Sequence, residues 1–247
     1  MSALVLRDVN KAFGNLIVTR NVELDVQIGE RHVIIGPNGA GKTSLINQIG
    51  GQIEPDSGRI FVCGHDVTGL APERRLSIGL SRTFQKNTLF QKLTAFENVR
   101  LGVQARFGNV FDFFSRTASL SEINNRAYAT LKRMNLHELA DRPVSALSYG
   151  DQRQLEIAIA LAGDPKVLLL DEPTSGLSPA ETQQIIGLIR SLPSDITILM
   201  IEHDMEVVFS IADRITVLYY GEVLVTDTPT AVSTNPRVRE VYLGTEI

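Results

Sequence analysis

Nine residues constrain this chain more than any others: Gly36-Pro37-Asn38-Gly39-Ala40-Gly41-Lys42-Thr43-Ser44. They contain G-x-x-x-x-G-K-T, the phosphate-binding loop pattern. Ahead of it runs Arg31-His32-Val33-Ile34-Ile35, short and mostly apolar, as a buried strand reads. Behind it Leu45-Ile46-Asn47-Gln48-Ile49 reads as the start of a helix. That strand–loop–helix context is the one the pattern requires. Gly36, Gly39 and Gly41 let the backbone curl so that N–H groups point at phosphate oxygens. The helix N-terminus adds partial positive charge at the same place. Lys42 can reach β- and γ-phosphates, and the Thr43 hydroxyl can ligate Mg²⁺.

A chain of 247 residues holds one large or two small domains. Its 43% hydrophobic and 21% charged residues are those of an ordinary globular protein. The net charge of -4 gives no sign of a nucleic-acid-binding surface. The single cysteine, Cys63, excludes an internal disulfide framework and fits a reducing compartment. No apolar run approaches the ~18–20 residues of a membrane span, and the N-terminal residues carry no signal-peptide pattern. The chain is therefore expected not to cross a membrane by itself, while remaining free to sit against one through a partner.

Residues 4–9 and 22–26 partly alternate apolar and polar, as half-buried strands do. Between them Phe13 precedes a glycine turn. It is either a flat face for a nucleotide base or a core or turn aromatic. Residues 71–79 read as a short charged helix, and Ser81-Arg82-Thr83-Phe84-Gln85 follows. A glutamine amide can bind Mg²⁺ and water, although an isolated glutamine is usually plain surface. From Thr88 to Leu161 helical spacing dominates, with Ala127, Leu131 and Met134 and then Leu155, Ile159 and Ala162 in register. This stretch reads as a helical subdomain inserted into a mixed core. Phe107, Phe111, Phe113 and Phe114 cluster within it, either pinning a loop or offering a contact surface to a membrane partner.

Val167-Leu168-Leu169-Leu170-Asp171-Glu172 reads as a fully buried strand ending in two carboxylates. In a chain with a phosphate loop, Asp171 can hold the Mg²⁺ shell and Glu172 can polarise a water. A second apolar strand, residues 197–201, runs into Glu202-His203-Asp204. His203 stands where a phosphate-sensing or proton-handling group would. His32, His65 and His137 look incidental. Residues 215–219 and 222–226 flank Tyr220-Gly221 as a hairpin, and Pro229 and Pro236 break up a helical tail.

In this order, the phosphate loop, RTFQ, LSYGDQ, VLLLDE and a strand ending in EHD resemble the ATP-binding cassette (ABC) ATPases of transporters. LSYGDQ, some twenty residues ahead of VLLLDE, is the most specific of these segments. The resemblance covers essentially the whole chain. RTFQ, LSYGDQRQLEIA, MIEHDM and NPRVREVYLG look like one ATPase of the branched-chain amino acid importers, to which the urea and short-amide importers are very similar.

The resemblance implies an α/β P-loop fold, one domain over 1–247. Residues 1–87 and 162–247 would form the nucleotide-binding core, and 88–161 the helical subdomain. It implies ATP and Mg²⁺ as cofactors. Phe13 matches the adenine-stacking aromatic, and residues 36–44 the triphosphate cradle. Gln85 matches the glutamine linking metal, water and membrane subunits. Ser148 and Gly150 match the residues that cap the γ-phosphate of a partner's ATP. Asp171 matches the metal-shell acid, Glu172 the general base and His203 the switch histidine. Implied partners are a second ATPase subunit, more often a related chain than a copy, polytopic permease subunits and, indirectly, an extracytoplasmic solute-binding protein. The implied place is the cytoplasmic face of the cell membrane, as a peripheral subunit. Two departures stand out. The common LSGGQ is altered by Tyr149 and Asp151, and Ser178 replaces the aspartate of SALD. Rival readings are a soluble ABC ATPase of repair or translation and a nucleotide-binding module without turnover.

Overall fold

The computed structural model describes residues 1–83, 89–107 and 116–243. The mixed core resolves into two sheets. The first is antiparallel, with strands β1 (Ser2–Phe13), β2 (Leu16–Gln27), β4 (Ser57–Val62) and β5 (His65–Asp66) in the order β2-β1-β4-β5. The second holds β3 (Arg31–Ile35), β6 (Leu80–Arg82), β7 (Val167–Asp171), β8 (Thr197–Ile201), β9 (Arg214–Tyr219) and β10 (Glu222–Asp227), in the order β10-β9-β3-β8-β7-β6. Its strands pair in parallel except for the β9–β10 hairpin.

The buried strands are apolar on both faces because both faces are covered. On β3, Val33 and Ile35 enter one core and Ile34 the other. Leu168 and Leu170 of β7 likewise oppose Val167 and Leu169. One core lies between this sheet, the antiparallel sheet and α1 (Lys42–Gly50). The other lies under α6 (Pro179–Ser191), α7 (Met205–Ile211) and the helical stretch.

That stretch contains α3 (Ala95–Phe107), α4 (Arg116–Arg133) and α5 (Tyr149–Leu161), with two short 3₁₀ turns between the last two. Helix α2 (Pro72–Ile78) ends at Gly79, whose φ of 112 closes it. The tail forms α8 (Pro229–Thr234) and α9 (Pro236–Leu243), each opening with a proline.

Strands β1 and β2 are longer than their alternation suggests. They pair through polar residues, as between Lys11 and Thr19, and absorb irregularities as register shifts. Ladder hydrogen bonds do not require an apolar face, so the hydrophobic pattern marks only the buried half of such a strand.

Candidate functional site

The loop after β3 turns sharply into α1. Gly41, the N-cap of α1, has φ 100. A Cβ there would stand 2.1 Å from the Val18 carbonyl oxygen, so glycine is required twice over. Gly39, at φ 79, has no atom within 4 Å of a Cβ position. It faces the open side, where the loop leaves room for an anion. A cavity of about 330 Å³ occupies that side. It is lined by residues 38–44, by Leu16, Ile17 and Val18 of β2, and by Glu172. Lys42 is buried, and its Nζ donates to the carbonyls of Gly36 (2.6 Å) and Pro37 (3.0 Å). Burial lowers its pKa, and the nearby Glu172 and Asp171 carboxylates work against that. Thr43 is exposed at the cavity and Ser44 partly so.

Strand β7 delivers the carboxylate pair. Asp171 is its last residue and Glu172 the next, with φ 46, a left-handed conformation uncommon for a residue with a Cβ. Arg82, at the end of β6, donates to Asp171 Oδ2 at 3.0 Å. It also donates to Asn47 Oδ1 and Gln52 Oε1. Burial raises the Asp171 pKa, and Arg82 opposes the shift. The other oxygen, Asp171 Oδ1, is buried and has no hydrogen-bond partner among the described residues. A buried carboxylate oxygen left this way is costly unless something binds it. A divalent cation beside the phosphates fits that need.

His203 follows β8, with Nδ1 4.0 Å from Glu172 Oε1 and 3.9 Å from Glu202 Oε2. Glu202 is fully buried and accepts from the Thr174 N–H and hydroxyl. The turn after β7 is thereby tied to the turn after β8. Phe13 lies at the end of β1, half-exposed, with Lys11 Nζ 5.5 Å from its ring centroid. Its ladder partner Leu16 lines the cavity.

Ser148 and Gly150 lie elsewhere. Ser148 is the exposed N-cap of α5, and neither residue lines the cavity of the phosphate loop. The Ser148 hydroxyl accepts from the Asp151 N–H and donates to Asp151 Oδ2. The Gly150 N–H donates to Glu181 Oε1 at 3.1 Å. Glu181 also completes a capping box with Ser178, the residue that departs from SALD. Gln85, Phe111, Phe113 and Phe114 fall outside the described residues; Phe107 is in view, with Arg126 stacked 4.4 Å from its ring centroid.

The structure thus brings Lys42, Thr43, Asp171, Glu172 and His203 towards one cavity. Behind the carboxylates it adds Arg82, Arg153 and Glu202, and at the α5 start Glu181, none of which the sequence reading singled out. Arg153 had a visible signal. It falls on a buried face of α5 with Gly150, Ile157 and Ala160, where an arginine must find partners.

A phosphate loop between β3 and α1, with a carboxylate pair at the end of β7, defines a P-loop nucleoside triphosphatase. The family model described as ABC transporter matches residues 19–175, and that of the branched-chain amino acid ATP-binding cassette transporter matches residues 222–247. The chain belongs to the ABC transporter family, as an ATP-binding subunit that hydrolyses ATP. It is 40% identical to the high-affinity branched-chain amino acid transport ATP-binding protein LivG of Escherichia coli, covering 94% of each chain. It is 39% identical to BraF of Pseudomonas aeruginosa, a protein of the same description, again over 94% of each. The ADP conformation of MJ1267, an ATP-binding cassette of an ABC transporter, superimposes with a TM-score of 0.85 at 30% identity over 99% of both chains. A dimeric post-hydrolysis state of the cassette MJ0796 bound to ADP and Pi gives 0.77 at 28% identity, covering 92% of this chain and 98% of that one.

Proposed function

We propose that this chain is the ATPase subunit of an importer for branched-chain or other hydrophobic amino acids. It would be held at the cytoplasmic face of the membrane by polytopic permease subunits, which an extracytoplasmic solute-binding protein supplies. The observation that carries the substrate class is the identity to LivG and BraF along nearly the whole chain. No helix among the described residues is long and apolar enough to cross a membrane, so attachment through partners suits it. The core would comprise 1–87 and 162–247, and the helical subdomain 88–161.

Two such subunits would close face to face, a reading supported by the dimeric structure of the MJ0796 cassette bound to ADP and Pi. Residues 36–44 would cradle the triphosphate, and Phe13 would stack on the base. Ser148 and Gly150 would cap the γ-phosphate held by the opposite subunit, since they stand apart from their own chain's cavity. Lys42 would offset charge on the β- and γ-phosphates. Thr43, Asp171 and Gln85 would hold Mg²⁺, and Oδ1 of Asp171, without a partner among the described residues, suits that role. Mg²⁺ when bound would supply positive charge against the phosphate oxygens. Glu172 would take a proton from the attacking water, and His203 would orient beside it.

The test is co-purification with the membrane subunits, followed by ATP-dependent uptake in proteoliposomes. Leucine, isoleucine and valine should be accumulated. Uptake of urea or short amides instead would move the chain to that neighbouring class. ATP turnover with no membrane partner recovered would favour a soluble role.

A further inference from the structure

Arg153 lies five residues beyond Ser148 on α5, and only 7% of its surface is exposed. Its guanidinium donates to three successive main-chain carbonyls. Nε bonds Pro173 O at 2.9 Å, and Nη2 bonds Asp171 O at 2.9 Å and Glu172 O at 2.6 Å. Nη1 is held by Glu156 Oε2 at 2.6 Å. The fork therefore grips the turn that carries both carboxylates, without lining the nucleotide cavity itself.

That turn needs holding. Glu172 has φ 46, which a residue with a Cβ keeps only when its surroundings fix it. On its other side the Glu172 N–H donates to Ile201 O, and the Thr174 N–H donates to Glu202. These bonds anchor the turn to β8. Arg153 ties its carbonyls to the helix whose first turn holds Ser148 and Gly150. A planar fork on three carbonyls transmits a small shift of α5 to the Glu172 backbone, and a carboxylate displaced by about 1 Å can lose ~10²-fold in rate.

We infer that Arg153 is a positioning residue: it couples the α5 N-terminus, offered to the opposite subunit's ATP, to the Glu172 that serves this chain's own ATP. The inference rests on the proposed roles of Glu172 and Ser148. Engagement of the helix at one composite site would then set the base at the other. This is a route between sites that does not pass through Ser178, where the family's aspartate is missing.

The test is a double-mutant cycle in the assembled complex. R153M, R153K, E172Q and R153M/E172Q are compared in ATP turnover, together with MgATP affinity of each isolated subunit. R153M should lower kcat ~10–10²-fold while KM and isolated-subunit affinity stay within about twofold. R153K should recover part of the rate, because it keeps the charge but cannot reach three carbonyls. In the E172Q background R153M should cost less than about twofold more, because the base it positions is already gone. Losses that multiply across the cycle, or a wild-type rate in R153M, would overturn the inference. If R153M does not fold, R153K with E172Q carries the same cycle and the same criteria. A wild-type rate in E172Q itself would instead sink the general-base reading on which the inference stands.

Discussion

The phosphate loop and the start of α5 both present backbone donors at a helix N-terminus, yet they are finished to different degrees. The loop frames a cavity of about 330 Å³ with its own lysine, hydroxyls and a facing carboxylate. The α5 start lines no part of that cavity. Its Ser148 hydroxyl bonds Asp151, and its Gly150 N–H bonds Glu181. The hydrogen bonds from Ser178 and Gly150 hold the Glu181 carboxyl below its ordinary pKa, so it is anionic at neutral pH. A carboxylate already accepting from the Gly150 N–H marks that donor as attractive to an anion. On the proposed function, the loop would cradle its own chain's nucleotide and the α5 start would complete the site of the opposite subunit.

The largest expected effect falls on the complete element. Lys42→Ala removes the cation proposed to face the β- and γ-phosphates and should abolish tight ATP binding and turnover. Near-normal hydrolysis by that variant in the assembled complex would erase the distinction between the two regions. Glu172→Gln should separate binding from chemistry. Nucleotide affinity is expected to persist while turnover drops by ~10²–10⁴-fold, with a closed, ATP-loaded dimer accumulating. Turnover within about twofold of wild type would place the base elsewhere.

A smaller effect is expected at Arg82, which occupies one oxygen of Asp171, the other having no partner among the described residues. Arg82→Lys keeps the charge but loses the fork that also reaches Asn47 and Gln52. ATP affinity in EDTA should be unchanged, and the Mg²⁺ concentration needed for half-maximal tight binding should rise about tenfold. Equal losses with and without Mg²⁺ would make Arg82 a packing residue only.

The smallest effect concerns the scaffold beneath the loop. Glu30 and Thr216 bracket the buried ring of His32 on β3, and Thr226 extends the chain to β10. Burial works to raise the Glu30 pKa, but the bonds from His32 and the Gln27 N–H outweigh it and leave it lowered. A depressed carboxylate contributes stability that is full above its ordinary value of 4.5 and lost as pH falls through the folded value. Thermal melts from pH 6 to pH 3 should therefore fall more gently in Glu30→Gln than in wild type. Parallel curves would show that the network does not titrate.

The phosphate loop was legible in the sequence because its chemistry is local: one segment supplies the glycines, the lysine and the hydroxyl. The buried strands were legible because both faces are covered, which leaves continuous apolar runs such as Val167 to Leu170. Arg82 and Glu181 were not legible as site residues, and Arg153 was legible only as a buried arginine in need of partners. Their partners lie 89, 31 and 18 to 20 residues away, and only the folded sheet and helices bring them together. The full length of β1 and β2 was hidden for a different reason. Beyond their alternating segments they pair through main-chain bonds at polar and apolar residues alike, as at Lys11 with Thr19 and Phe13 with Leu16, and no two-residue period marks them.

The claim that two unequal half-sites combine across subunits is tested most directly at Ser148. Ser148→Arg places a bulky cation at the exposed start of α5 and leaves the phosphate loop untouched. The measurement pairs MgATP affinity of the isolated subunit with the ATPase rate of the reconstituted complex. The account predicts affinity within about twofold of wild type and a complex that no longer hydrolyses ATP. A large loss of affinity in the isolated subunit would mean that Ser148 serves its own chain's nucleotide, and would contradict the shared site.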